Sequence, residues 1–244
     1  LHLAHWPGNR TPDNLRRDLS TEIAFAFLGL TDEERSALLN GAECIALNHF
    51  DTDGICALFV LIRPEAANAY RELLIETAAA GDFHEVRSEH ALAIDAALRA
   101  MTGEDKLALV HEAIALLGEL LPNRDAALDR SAADLERYRD DRAALEAAHF
   151  DDLIYMDMAL WIAPLGQAGD AAATFDPGRH AFFHDGRADR ALLLGRGPSG
   201  TTARFVIGTY SFFDVVSRKP SPRPDLALLC EKLNAAEGTT PLDA

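Results

Sequence analysis

The chain has 244 residues, 48% hydrophobic and 25% charged, an ordinary globular profile with enough length to bury a sizeable core. Its formal charge of −16 argues against a nucleic-acid groove, which needs clustered Lys and Arg to neutralise phosphates. Only Lys106, Lys219 and Lys232 are lysines; the other cations are arginines, which suit local recognition of a small carboxylate or phosphate.

The opening segment "HLAHWPGNRTP" (2–12) gathers His5, Trp6, Asn9 and Arg10 in non-helical sequence. An amphipathic aromatic beside an arginine suits ligand contact, and simple docking of the terminus is the alternative. Residues 13–39 read as two helices, the second opening at "LTDEE" with Thr31 as N-cap and Glu34 three residues on. "ECIALN" (43–48) reads as a short apolar strand. A long helical block follows. Pro64 breaks 55–80 and starts a new helix. Ala91, Ile94, Leu98 and Met101 repeat at helical spacing, as do Leu107, Val110, Ile114, Leu117 and Leu121. Residues 124–149 are rich in Ala and charge with a thin apolar stripe, which predicts a solvent-facing helix.

The character then changes. "LIYMDMALWIA" (153–163), "ALLLG" (191–195) and "ARFVIGTY" (203–210) read as strands, with Gly-rich breaks between some of them. "GQAGDAAATFDPG" (166–178) reads as a mobile loop, and the Pro-rich arm "SRKPSPRPD" leads into a last helix near 226–237. The expected fold is α/β, with a mainly helical middle over a small mixed sheet that includes the 43–48 strand. The expected organisation is one domain over 1–244, with a subdivision near 150 into a helical metal-site part and a β-rich part. Cys44, Cys56 and Cys230 show no CxxC spacing, and no leader pattern or long apolar run occurs, so the expectation is a cytoplasmic protein off the membrane. Nothing in the sequence specifies an oligomeric state.

"NHFDTDG" (48–54) carries the densest chemistry. His49, Asp51 and Asp53 follow an apolar run and precede a helix, where ligands gather and helix N–H groups favour anions. Carboxylates crowded there repel one another unless a cation joins them. One His with two Asp is a ligand set for Mn, Fe or Zn. The alternative is an Asp-Gly turn with capping carboxylates. An EF-hand fails, because His49 stands at the first ligand position and Val60 at the twelfth.

"NHFDTDGICA" resembles the first motif of the DHH phosphoesterase superfamily, in its His-x-Asp-x-Asp-Gly form. The resemblance implies a DHH-like N-terminal part in which His49, Asp51 and Asp53 help hold a two-metal, usually manganese, centre for phosphoester or phosphoanhydride hydrolysis. It departs from that family in having no Asp-His-His triplet. The stretches "HWPGNRTPDNLRRDLSTEIA", "NHFDTDG", "AAAGDF" and "VVSRKPSPRPDLALLCEKLNAAE" together resemble an uncharacterised bacterial family, a domain of unknown function. That resemblance implies one functional unit and supplies no reaction.

Further ligands must come from elsewhere in the chain. Asp82 follows Gly81, read as a helix C-cap, and is placed to return to the site; a solvated loop acid is the alternative. His84 is a weaker candidate. "RHAFFHDGRADR" (179–190) gathers His180, His184, Asp185 and Arg187; His184 with Asp185 is the best substitute for the missing triplet, and Arg187 is placed to clamp an anion. Arg10 and His5 are further substrate contacts. His90, His111 and His149 read as surface or packing residues, and Arg218, Lys219 and Arg223 as an anion site or a rigid linker.

The resulting expectation is a metal-dependent hydrolase acting on a small anionic molecule. Asp51, Asp53 and His184 are its catalytic candidates, and His49, Asp51, Asp53, Asp82 and His184 its metal ligands. A non-catalytic metal- or ligand-binding protein is one alternative. A haloacid-dehalogenase-like phosphatase is the other, with Asp51 as nucleophile, Asp53 as acid/base, and Lys106, Asp151 and Asp152 downstream.

Overall fold

A computed structural model describes residues 1–148, 154–155, 158–162, 176–197, 200–219 and 225–237. His149, Asp151, Asp152, Arg223, most of the loop read at 166–178 and much of the Pro-rich arm lie outside the described residues.

A 3₁₀ turn at Asp13–Leu15 precedes α1 (Ser20–Leu28) and α2 (Asp32–Leu39). Thr31 and Glu34 close a capping box at the start of α2, each side chain accepting from the other's backbone amide. The Pro64 break is real: α3 (Thr52–Ile62) ends before it, α4 (Pro64–Ala69) starts on it, and α5 (Arg71–Phe83) follows. Then come α6 (Glu89–Arg99), α7 (Lys106–Leu120), α8 (Arg124–Arg130) and α9 (Ala132–Ala147). The one helix read over 124–149 is two, because the chain turns at Ser131, whose hydroxyl donates to the Ala93 carbonyl at 2.7 Å.

α6 is the centre of the helical part. Every residue from Ala91 to Leu98 is buried, so apolar packing surrounds this helix on all sides. It contacts α3, α5, α7, α8 and α9, while α3 packs on α1, α5 and α7. The shared core includes Ile55, Phe59, Leu74, Ile94 and Leu117, and it takes in Tyr210 and Phe213 from far along the chain.

α7 buries Leu109, Ala113, Leu116, Leu117 and Leu120; of the stripe read in the sequence, Leu117 and Leu121 are buried and Val110 and Ile114 pack against the core, while Leu107 is 67% exposed. The segment is Leu- and Ala-rich nearly all round, so helical spacing admits two registers and packing on α3 and α6 selects one.

The sheet has strands β1 (Ile154–Tyr155), β2 (Met158–Ile162), β3 (Arg190–Gly197) and β4 (Gly200–Ile207), in the order β1-β2-β3-β4. β2 and β3 are parallel, with Ala159 opposite Ala191, and the other pairs are antiparallel. A parallel pair needs a crossover. That crossover contains α10 (Arg179–Phe183), which packs on α9. Phe182, Phe183, Ala191, Leu193 and Leu145 form the apolar cluster beside the sheet. α11 (Leu226–Glu237) is the last described element. The protein is thus a mixed α/β molecule, mainly helical.

One expectation is corrected. Residues 43–48 form no strand; they have no regular secondary structure and are mostly exposed, Ile45 at 55%. A strand needs a partner for its backbone groups. Here helices α1, α5 and α6 surround the start of α3, and the described strands lie elsewhere. Among the described residues, no helix is long and apolar enough to cross a membrane.

The two α7 leucines give a direct test of the packing. Leu120→Ala is expected to destabilise by about 2–5 kcal/mol, and Leu107→Ala by no more than about 0.5 kcal/mol, in urea unfolding. The reverse ranking would mean that α7 presents its other stripe to the core.

Candidate functional site

Asp51 is the N-cap of α3, and its Oδ1 accepts from the Gly54 amide at 2.7 Å. The capping role named as the alternative for this motif is therefore present. Asp53 faces elsewhere. It is buried, and its two oxygens accept from the amides of Ser20 at 2.7 Å and Thr21 at 2.8 Å. The N-cap of α1 is Leu19, which has no acceptor, so Asp53 satisfies two orphan amides of α1 from α3. The Thr21 hydroxyl donates back to the Asp53 carbonyl at 3.2 Å.

α5 delivers Asp82 in its last turn. The helix does not stop at Gly81 as read; it continues to Phe83 and ends on His84 in the left-handed region, φ 60°. Gly81 serves close approach instead. A Cβ there would lie 2.6 Å from Cβ of Thr52, so only glycine lets α5 press on α3 at this point.

His5 completes the cluster from the N-terminal loop. Its Nδ1 bonds to the Asp18 carbonyl, and its Nε2 lies 3.1 Å from Asp82 Oδ2 and 3.7 Å from Asp53 Oδ2. The ring stacks on Phe213 at 4.3 Å between centroids. Candidate ligand atoms of His5, Asp53 and Asp82 all lie within 4.8 Å of one another. Burial opposes charge on His5, but the Asp82 hydrogen bond and the charges of Asp53 and Asp82 outweigh it and raise its pKa to about 9. The Asp82 carboxyl is also pushed up. Burial is the main cause, the His5 hydrogen bond opposes it, and the charges of Asp53 and Asp51 add to it. Both partners of one bond move upward for different reasons: Asp82 chiefly because it is buried, and His5 because the carboxylates of Asp82 and Asp53 face it.

Asp51 and His49 stand at the rim. His49 is exposed and its Nε2 pairs with Asp51 Oδ2, while the edge of Trp6 meets His49 at 5.7 Å between centroids. Burial and the Asp53 charge raise the Asp51 pKa against the Gly54 amide and His49. Among the described residues, the His5 cluster contains neither His49, Asp51 nor His184. His184 lies beyond α10, 3.8 Å from Asp185. Arg187 pairs with that same Asp185, through both its backbone amide and its guanidinium. Arg10 is exposed in the loop that carries Trp6, its amide donating to His2.

Several other histidines and cations have structural partners. His90 bonds the Leu120 carbonyl at 2.9 Å, and His111 is exposed. His180 meets buried Asp95 at 3.4 Å. His84 packs edge-on to His180, where burial and the charges of His180 and Arg179 push its pKa down to about 3. Arg218 reaches Tyr210 Oη at 3.0 Å and Glu85 and Asp189 at 3.3 Å each, so it anchors the arm rather than an anion. Lys106 is exposed at the start of α7, donating to the Gly103 carbonyl at 3.0 Å.

Asp18 and Asp95 were not singled out in the sequence. Asp18 sits in an ordinary polar run and gives no cue. Asp95 does have one, as the lone charge in "ALAIDAAL", where a buried carboxylate needs partners.

No match was found among curated proteins or among solved structures. The family described as a family of unknown function (DUF6687) matches residues 1–242, and the chain belongs to that family.

Proposed function

We propose that His5, Asp53 and Asp82 bind a divalent cation, manganese first with iron or zinc as alternatives, and that the protein is a metal-dependent hydrolase of a small anionic molecule, phosphoesterase-like in its chemistry. The observation that carries this reading is the convergence of one imidazole and two carboxylates, from the N-terminal loop, α3 and α5, within 4.8 Å. The donor set fits. Nitrogen with carboxylate oxygen suits these metals. The Asp18 carbonyl takes the Nδ1 proton and leaves Nε2 facing the carboxylates, as the outer partners of metal-bound histidines do. Two backbone amides fix the plane of Asp53.

Bound there, a divalent cation supplies Lewis acidity and an activated water. The chain's own groups supply the rest. His49, paired through Nε2 with Asp51 Oδ2 beside the cluster, is the group offered to a leaving group as acid. Trp6, 38% exposed beside His49, and Arg10 in the same loop offer contacts to an anionic substrate. The likeness of residues 48–57 to the first DHH motif supports phosphoryl chemistry, with Asp53 kept as a ligand and His5 in place of His49 and His184 as the nitrogen ligand.

A second reading has its own support in the 3.1 Å approach of His5 Nε2 to Asp82, in which a protonated His5 bridges the carboxylates and the protein binds without catalysing. The two readings separate by pH. A His raised from 6.5 to about 9 contributes stability fully present below 6.5 and lost as pH rises through about 9. The metal-free protein is therefore expected to lose thermal stability across that window, and His5→Gln to show no such loss there. If the cation displaces this proton, Mn affinity should rise about tenfold per pH unit up to about pH 9. A flat affinity profile favours the bridging imidazolium.

Asp82→Asn spares the α1 cap and is expected to weaken Mn binding by more than about 100-fold with the fold retained. Unchanged metal content in this variant would remove the site. The catalytic half is tested by screening Mn-loaded protein against phosphomonoesters, phosphodiesters, nucleotides and polyphosphate, with chelator abolishing turnover. No turnover with metal demonstrably bound leaves a binding protein.

A further inference from the structure

We infer that Asp95 is a positioning residue for the acid cluster, setting through Thr52 and Gly81 the separation of Asp53 from Asp82. The inference rests on the cation reading above for its functional meaning.

Asp95 is fully buried on α6, the helix that contacts α3, α5, α7, α8 and α9. Its Oδ1 accepts the Thr52 hydroxyl at 2.7 Å, and its Oδ2 accepts Arg99 Nε at 2.8 Å and lies 3.4 Å from His180 Nε2. His180 Nε2 also lies 2.9 Å from the Ala80 carbonyl of α5. A Cβ on Gly81 would stand 2.6 Å from Thr52 Cβ and 3.2 Å from Asp95 Oδ1. The Thr52 side chain is therefore wedged between α5 and α6.

Each residue in this wedge is the chain neighbour of a site acid. Thr52 lies between Asp51 and Asp53, and Gly81 precedes Asp82. Successive helix residues point about 100° apart. Thr52 thus grips Asp95 while Asp53 faces His5, and moving the wedge moves the acids. A buried carboxylate is unfavourable unless well bonded. Here burial pushes the Asp95 carboxyl up, yet His180, Arg99 and Thr52 outweigh it and hold it below the usual range. A neutral acceptor would satisfy the Thr52 hydroxyl alone; the carboxylate also draws in Arg99 and His180, which stiffens the hub.

The test uses Thr52→Val, which removes the hydroxyl and keeps the shape, and Thr52→Ser, which keeps the hydroxyl. Mn affinity is measured by calorimetry, folding by urea titration, and amide exchange of Ser20 and Thr21 in the metal-free protein. Thr52→Val is expected to weaken Mn binding about 10- to 100-fold, with Thr52→Ser close to wild type. Gly81→Ala should weaken it too, although alanine is the better helix former. Adding Asp95→Asn to Thr52→Val should lose little more than the worse single change. Loss of stability in every variant with Mn affinity unchanged overturns the inference, because a merely structural hub behaves that way. If wild-type protein binds no Mn, the cation reading fails separately and amide exchange decides. Faster exchange of Ser20 and Thr21 in Thr52→Val but not in Thr52→Ser supports positioning by Asp95, and unchanged exchange in both overturns it.

Discussion

The carboxylate of Asp53, lodged against the first amides of α1, is the contact on which the rest of this region depends. α1 begins after a leucine that cannot cap it. A side chain from α3 does the capping, and so the two helices are locked at their N-termini. Both N-termini then point partial positive charge toward the same few ångströms. That field is one reason why Asp51, Asp53 and Asp82 can coexist there. His5 is the other. The cluster is thus inseparable from the fold: a carboxylate that faces His5 is also the group that starts a helix.

The distant ends of the chain close over this point. Asp214 donates its amide to the His5 carbonyl at 2.7 Å, and Asp18 Oδ1 accepts from Val216 at 2.6 Å and Ser217 at 2.9 Å. Phe213 lies between the His5 ring and the helical core. Arg218 covers the Tyr210 ring at 3.9 Å, and Tyr210 stacks on Phe83, the residue after Asp82. Residues past 200 therefore buttress a site whose acids all come before 83.

Local chemistry made part of this legible from sequence. The Thr31 capping box, the Pro64 break and the apolar run of α6 are each decided within a few residues, and each forms as read. The 43–48 segment and the working face of α7 were decided by neighbours that the sequence does not reveal. The same division holds at the site. The crowding of "HFDTDG" reads as His49, Asp51 and Asp53 together, and only Asp53 of the three joins His5; the position of Asp82 just past a helical run reads as a return to the same place. His5 reads in the sequence only as a substrate contact, since its place beside two acids depends on a loop folding back across the molecule. Asp95 was readable only as a charge out of place in an apolar helix.

Trp6 gives the molecule a property separate from its chemistry. Its indole ring stands within 6.4 Å of the His5 ring and 5.7 Å of the His49 ring, centroid to centroid. An imidazolium quenches indole emission more strongly than a neutral imidazole does. The chain has only one other tryptophan, Trp161. Trp6 is therefore an optical reporter built in beside these two rings, and a change in the charge of either will be written into the protein's ultraviolet fluorescence without any added label.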